Sequence, residues 1–386
     1  MHRQILLVYA LIFSSELLQS AIVPLLPTFA AEFAISKTET GALLAATPIA
    51  MVVVSVPIGF FADRLGARVF TVGAGTLIAV SALVQGFAAS YWTLLAGRFG
   101  FGLAFGAIWT AGPTLISAAA PRGRTAALGG TVVAGGAAHL VGPAFAGNLA
   151  EFVGLAVPFI VVAGLTSVVV GFLALSPSPK AAVSRYPTLL STLRAARGER
   201  QVLGAMATIA VLGMVTTTVP LLVSLQLAEN GLSASAIGTI FSLGACVWIV
   251  ASTLAAKTGD RVLRMSMAGG GILLLGSVLL LPAASAATAL LVVFVLLRAL
   301  FHAPLSALSY PLGEAGARIA GIGGGAVIGL MNLAWAISAS ISPVAGGALA
   351  DSAGEPATYA VMSACCVAVA FWIYASRRRE AAEVPA

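Results

Sequence analysis

Long apolar runs separated by short polar breaks dominate the chain. Twelve of them lie near 5–27, 41–61, 69–89, 92–118, 126–149, 153–175, 202–227, 236–256, 265–284, 287–311, 320–349 and 357–375. Each approaches or exceeds the roughly 20 residues that a helix needs to cross about 30 Å of hydrocarbon. The pattern predicts an all-α integral membrane protein with twelve transmembrane helices, and the short connections leave no room for a sizeable soluble domain. Composition agrees: 60% of the residues are hydrophobic and only 9% are charged. The mean hydropathy is +1.04, a surface that water could not solvate. The first run follows His2 and Arg3, as a signal peptide would, but it extends well past a normal signal core and lacks a convincing cleavage site.

Charge then suggests an orientation, because cytoplasmic loops of membrane proteins retain Lys and Arg. With the N-terminus inside, the even-numbered connections and both tails hold Arg3, Arg64, Arg68, Arg122, Arg124, Lys180, Arg185, Arg194, Arg197, Arg200, Lys257, Arg261, Arg264, Arg318 and Arg377 to Arg379. The opposite side holds only Lys37 among basic residues, and collects Glu32, Glu39, Glu151, Glu229, Asp351 and Glu355. Both termini are therefore expected in the cytoplasm, with the chain in the inner (plasma) membrane. The net charge of +7 reads as topology. Basic residues scattered over many short loops form no groove for nucleic acid. Cys246, Cys365 and Cys366 fall within predicted helices and read as small core residues, without disulfide or metal spacing.

The longest connection, 176–201, begins Ser-Pro-Ser-Pro and carries five basic residues. Leu189, Leu190 and Leu193 alternate there with Arg194 and Arg197, which suits either a segment on the inner membrane surface or a polar linker. It divides the chain into an N-terminal bundle of six helices (1–175) and a C-terminal bundle of six (202–386). The halves repeat at an offset of 200: Gly142-Pro143-Ala-Phe-Ala-Gly147 recurs as Ser342-Pro343-Val-Ala-Gly-Gly347, Arg98 meets Arg298, Glu151 meets Asp351 and Gly154 meets Gly354. Such a repeat is a sign of a transporter built from two related bundles.

Between the second and third runs lies Gly59-Phe-Phe-Ala-Asp63-Arg64-Leu-Gly66-Ala-Arg68. It resembles the loop signature of the major facilitator superfamily, Gly-x-x-x-Asp-Arg-x-Gly-x-Arg, which joins helices 2 and 3 on the cytoplasmic side. A worn copy spans 252–261, with Gly259 kept but Ala256 and Lys257 in place of the acid and base. The resemblance implies two pseudo-symmetric six-helix bundles, alternating access, and a chain able to work as a monomer. An acid at Asp63 could pair with Arg68, another inner-loop cation or a helix N-terminus and hold an inner gate shut.

Function must come from polar groups at membrane depth, each of which costs a few kcal/mol unless partnered or wetted. Glu16 is the only acidic residue well inside a predicted span, and Gln19 and Ser20 share its helix face at i+3 and i+4. An intramembrane acid is by default a functional candidate; the plainer alternative is a staple between helices. Arg98, with Gly102, Gly106 and Trp109 along the same helix, is similar to the family's helix-4 pattern Arg-x-x-x-Gly, associated with coupling in proton-linked exporters. Glu16 and Arg98 lie at similar depth with long side chains, so a direct or water-bridged pair is expected.

In helix 5, Gly135-Gly-Ala-Ala-His139-Leu-Val-Gly142-Pro143-Ala-Phe-Ala-Gly147 resembles the family's antiporter signature, with Ala138 and Ala146 replacing glycines of the full pattern. Small residues let backbones approach, and Pro143 removes a hydrogen bond. His139 reads either as packing or as a titratable group. His302 lies one turn beyond Arg298 on helix 10. The resemblance implies that helices 1, 4, 7 and 10 line a cavity, with Gln19, Trp109, Thr216, Thr217, Arg298 and His302 as candidate contacts. Flanking helices add Trp248, Asn332 and Trp335, with core or lipid packing as the alternative for the two tryptophans.

The leading expectation is a proton-coupled antiporter that exports small organic molecules, as in drug or metabolite efflux and multidrug resistance. Its partners would be substrate, protons and lipid, with neither cofactor nor metal. The rival is an uptake symporter or facilitator for an organic anion using Arg298 and His302. An enzyme finds no support, since no His-x-x-x-His pair, Gly-x-Ser-x-Gly elbow or phosphate loop is present.

Overall fold

Hydrocarbon offers no partner for backbone N–H and C=O groups, so a chain this apolar is driven to satisfy them within helices. The computed structural model describes residues 2–120, 123–176, 194, 196–258 and 264–383, excluding the side chains at 2, 56, 59–65, 124–125, 324–325 and 376–383. Among the described residues there is no strand, and twelve helices are long and apolar enough to cross a membrane. The first, α1, runs His2–Ala21, tightens into a 3₁₀ turn at Val23–Leu25 and resumes at Leu26–Glu32. Pro24 and Pro27 lack the N–H donors that a regular helix would use there.

The remaining spans are α2 (Lys37–Leu65), α3 (Ala67–Gly86), α4 (Tyr91–Ala119), α5 (Arg124–Phe152), α6 (Val157–Ala174), α7 (Arg200–Glu229) and α8 (Ala234–Lys257). They continue with α9 (Met265–Leu279, extended by Leu281–Ala284), α10 (Thr288–Ile319), α11 (Gly324–Ala353) and α12 (Glu355–Glu383). Local chemistry sets several starts. Ser36 and Glu39 form a reciprocal capping box before α2, with Ser36 N–H to Glu39 Oε2 at 2.9 Å and Glu39 N–H to Ser36 Oγ at 3.2 Å. Ser90 caps α4 by accepting the Thr93 N–H at 3.3 Å. Gly66 starts α3 at φ 91°, a backbone state that favours glycine. Helix α10 continues eight residues past its apolar run, because a helix need not stop where the hydrocarbon does.

The chain packs as two compact units, Met1–Ser184 with Ser224–Ala245, and Arg185–Val223 with Cys246–Ala386. Most of the connection read as 176–201 lies outside the described residues. In the first unit α4 packs extensively on α2 and α3, α1 on α5, and α3 on α6. Glycines permit the closest approaches. A Cβ at Gly102 would strike the Thr47 carbonyl of α2, and one at Gly106 would press on Val54. In the second unit α12 packs on α9, and α10 contacts α9 and α11. Gly154 and Gly354, the repeat partners, both have positive φ (142° and 84°) and each precedes the last helix of its half.

Many large apolar side chains face outward, such as Trp92, Val133, Phe152 and Phe371, as expected where the surrounding solvent is lipid. The cysteines depart in part from the sequence reading: Cys366 is buried, but Cys246 and Cys365 are exposed. Successive helix positions turn about 100°, so adjacent Cys365 and Cys366 cannot both face the core.

Candidate functional site

The polar stripe of α1 faces α4 and α5, and Glu16 finds direct partners other than Arg98. Glu16 Oε1 accepts the Trp109 indole N–H at 3.0 Å. Glu16 Oε2 lies 3.0 Å from His139 Nε2. The carboxylate is nearly enclosed, with 9% of its side chain exposed, whereas the His139 side chain is 50% exposed. Ser20 turns its hydroxyl back to the Glu16 and Leu17 carbonyls (2.9 and 3.2 Å) and reaches the Ala138 carbonyl of α5 at 3.5 Å.

Arg98 does not pair with Glu16. Its guanidinium is fully buried, with Nε donating to the Leu43 carbonyl at 3.2 Å and Nη2 to Gln19 Oε1 at 3.1 Å, while Nη1 has no partner. It also lies 5.4 Å from the centre of the Phe101 ring. Because α1 and α4 run antiparallel, Gln19 meets Arg98 at one level and Glu16 meets Trp109 at the next. Phe101, Phe105 and Trp109 form an aromatic ladder between the levels, with centroids 5.6 and 6.3 Å apart. A direct pair is absent because Gln19, one turn past Glu16, stands where the guanidinium arrives.

Helix α5 owes its proximity to α1 to selected glycines of its motif. A Cβ at Gly142 would collide with Ser20 Oγ, and one at Gly147 with the Ala234 carbonyl of α8. At Gly135 a Cβ would meet Glu16 Cγ at an ordinary 3.5 Å, so this glycine is not required for packing. Pro143 has no N–H to offer the carbonyl four residues back, which is that of His139. Farther along α5, the Ala144 N–H donates to Ser242 Oγ at 3.1 Å, and Glu151 Oε2 accepts the Ser235 N–H at 2.9 Å at the start of α8.

The second unit gathers His302, Thr216 and Trp248. The Trp248 indole, which can only donate, points to His302 Nδ1 at 3.3 Å. Nε2 faces Thr216 Oγ1 at 3.0 Å and the Leu212 carbonyl at 3.5 Å. A carbonyl only accepts, so both contacts assign the neutral ring with its hydrogen on Nε2. Thr217 instead bonds within α7 to the Gly213 carbonyl at 2.9 Å. Asn332 accepts the Tyr310 hydroxyl at 2.7 Å, and Tyr310 was not among the residues singled out in the sequence. Trp335 is half-buried, its backbone closely approached by Gly213. Arg298 makes no hydrogen bond or ion pair with any described residue, and its Nε is buried.

The sequence profile described as Major Facilitator Superfamily matches residues 8–327. The chain belongs to this family. Comparison with curated proteins found no match. Among solved structures, this facilitator is similar to a bacterial homolog of the human lysosomal transporter Spinster in an inward-facing, unoccupied conformation. That match has a TM-score of 0.74 at 15% identity, covering 96% of this chain and 94% of that one. It is also similar to a POT family transporter in complex with a thioalcohol-conjugated peptide, with a TM-score of 0.75 at 13% identity, covering 98% and 96%. At these identities the likeness shows the fold. The family is one of transporters, so the facilitator is a multi-pass membrane protein acting on a small-molecule substrate rather than an enzyme.

Of the loop signature, Gly59, Asp63 and Arg64 fall in the last turns of α2, and their side chains lie outside the described ones. Arg68 donates from Nε to the Leu173 carbonyl at 3.2 Å, and from Nη2 to the Ala174 carbonyl. It thereby satisfies two carbonyls at the end of α6, where a cation suits the helix dipole. Arg3 lies 5.3 Å from the Phe172 ring. The start of α1, the α2–α3 connection and the end of α6 thus share one end of the first unit.

Proposed function

We propose that the protein is a proton-coupled antiporter that exports small organic molecules by alternating access, with the Glu16–His139 pair as its proton site. The observation that carries this reading is the enclosed Glu16 carboxylate in contact with a half-exposed imidazole. A carboxylate and an imidazole in contact can hold one proton or two between them. With one proton between them they attract; with two, a neutral acid faces an imidazolium and the charge attraction is gone. Proton arrival from outside therefore loosens α1 from α5, and proton release inward restores the grip. Trp109 holds the second carboxylate oxygen so that the first stays aimed at His139. Arg98, at the next level, sets the local field without sharing the proton directly. In this reading both termini are cytoplasmic, the chain sits in the inner (plasma) membrane, and a monomer suffices.

The test uses acid-interior inverted vesicles with a fluorescent pH probe, challenged with cationic, neutral and anionic compounds. Compound-dependent proton efflux in wild type, absent in Glu16→Gln at equal expression, is the expected result. Substrate-dependent flux that survives Glu16→Gln with its proton movement intact contradicts the reading. Uptake or facilitated movement of an organic anion is the second reading. It retains Arg298 and loses His302 as a cation, since that ring is held neutral.

A further inference from the structure

The second unit contains a charge that its own side chains do not answer. Arg298 lies eleven residues into α10, well inside the span. Its Nε is buried without a partner, and no described residue bonds to the guanidinium. The nearest acid along α10 is Glu314, sixteen residues on, about 24 Å at 1.5 Å per residue. Helix α9 carries no charged residue, and the acids of α7, α11 and α12 (Glu229, Asp351, Glu355, Glu380 and Glu383) stand at helix ends. His302 is no counter-ion either, because an imidazole is neutral or cationic, and Trp248 donates to this one at Nδ1.

Its repeat partner Arg98 is answered differently, by Gln19 and the Leu43 carbonyl. Glu16, the one acid well inside a span of the first unit, is engaged by Trp109 and His139. Among the described residues, then, each unit holds an arginine at membrane depth that no carboxylate neutralises, and only Arg98 has protein acceptors. A lone guanidinium at that depth is expensive and marks a pathway or a ligand position. Guanidinium geometry suits carboxylate, sulfonate or phosphate, each offering two oxygens to its fork.

We infer that Arg298 binds an anionic group of the transported molecule, so that the substrates are organic acids or zwitterions with an apolar body. Half-buried Trp248, tied to the same histidine one turn away, supplies an apolar wall. The inference rests on the transporter reading but not on proton coupling, since the Glu16–His139 pair lies in the other unit.

The experiment measures equilibrium binding to purified protein in lipid nanodiscs of three probes sharing one scaffold: 1-naphthoate, 1-naphthylmethylamine and 1-naphthalenemethanol. Saturable binding of naphthoate by wild type is expected, displaced by benzenesulfonate and not by benzylamine. Arg298→Gln is expected to weaken it about tenfold or more, the effect of losing one charge-assisted contact, with Arg298→Lys intermediate. Competition by sulfonate needs no variant, so a poorly folded Arg298→Gln does not blunt the test. Tighter binding of the amine, no saturable naphthoate binding, or equal naphthoate affinity in well-folded Arg298→Gln overturns the inference. Equilibrium binding needs no proton movement and is read without a pH gradient, which separates this result from any failure of proton coupling.

Discussion

His139 Nε2 stands 3.0 Å from Glu16 Oε2, joining a half-exposed imidazole on α5 to an enclosed carboxylate on α1. The contact makes His139 the face that the acid turns outward. His139→Asn keeps polarity and approximate size but cannot carry a full charge. Compound-driven proton flux in vesicles should fall about tenfold or more, consistent with the usual contribution of a positioned proton-transfer group. Binding of substrate to the purified protein should change far less.

Trp109→Phe removes the indole N–H from Glu16 Oε1 and keeps an aromatic ring beside Phe105. A hydrogen bond to a charged group contributes about 1.5–3 kcal/mol. The variant should therefore melt at a lower temperature in detergent and transport several-fold more slowly. An unchanged melting temperature would show that the indole does not restrain the carboxylate.

Three glycines of one motif should respond differently to alanine. Gly147→Ala drives a methyl into the Ala234 carbonyl, and Gly142→Ala into the Ser20 hydroxyl, which can rotate away. Gly135→Ala meets only ordinary contacts. Overpacking costs roughly 1–3 kcal/mol, so melting temperatures should fall in the order Gly135→Ala, Gly142→Ala, Gly147→Ala, with Gly135→Ala close to wild type.

Gln19→Leu takes an acceptor from buried Arg98 and leaves the Leu43 carbonyl as its sole protein acceptor. The loss should cost about 1–3 kcal/mol, read as a lower melting temperature. Gln19→Glu supplies a carboxylate at the same place and should raise it, at the expense of transport.

His302→Asn should leave the pH dependence of transport unchanged, because the ring is already the neutral tautomer between Trp248 and Thr216. It should lower stability, since it breaks up that set of hydrogen bonds. A displaced pH profile would mean that His302 titrates during the cycle.

The helices were legible because each apolar run is long enough to span a membrane and little else competes for such a sequence. The repeat was legible too: Gly154 and Gly354, found at one offset, share a positive φ before the last helix of each half. Side-chain pairing was not. Depth along a helix follows from counting residues, but the partner depends on the rotation and register of two helices. A shift of one turn exchanged Glu16 for Gln19 opposite Arg98. His139 stayed open between packing and a titratable role because nothing local links it to Glu16, 123 positions earlier. Two clues were present: Pro143, four residues after His139, and the small residues that bring α5 against α1. Tyr310 carried no signal, since its partner Asn332 lies on another helix.

Infrared difference spectroscopy of the protein in lipid, recorded across a pH titration, reads the protonation of an intramembrane carboxyl directly. One carboxyl C=O band should appear on acidification, vanish in Glu16→Gln and shift in frequency in His139→Asn. A band that persists unchanged in Glu16→Gln, or a Glu16 band indifferent to His139→Asn, would contradict the assignment of the Glu16–His139 pair as the proton site.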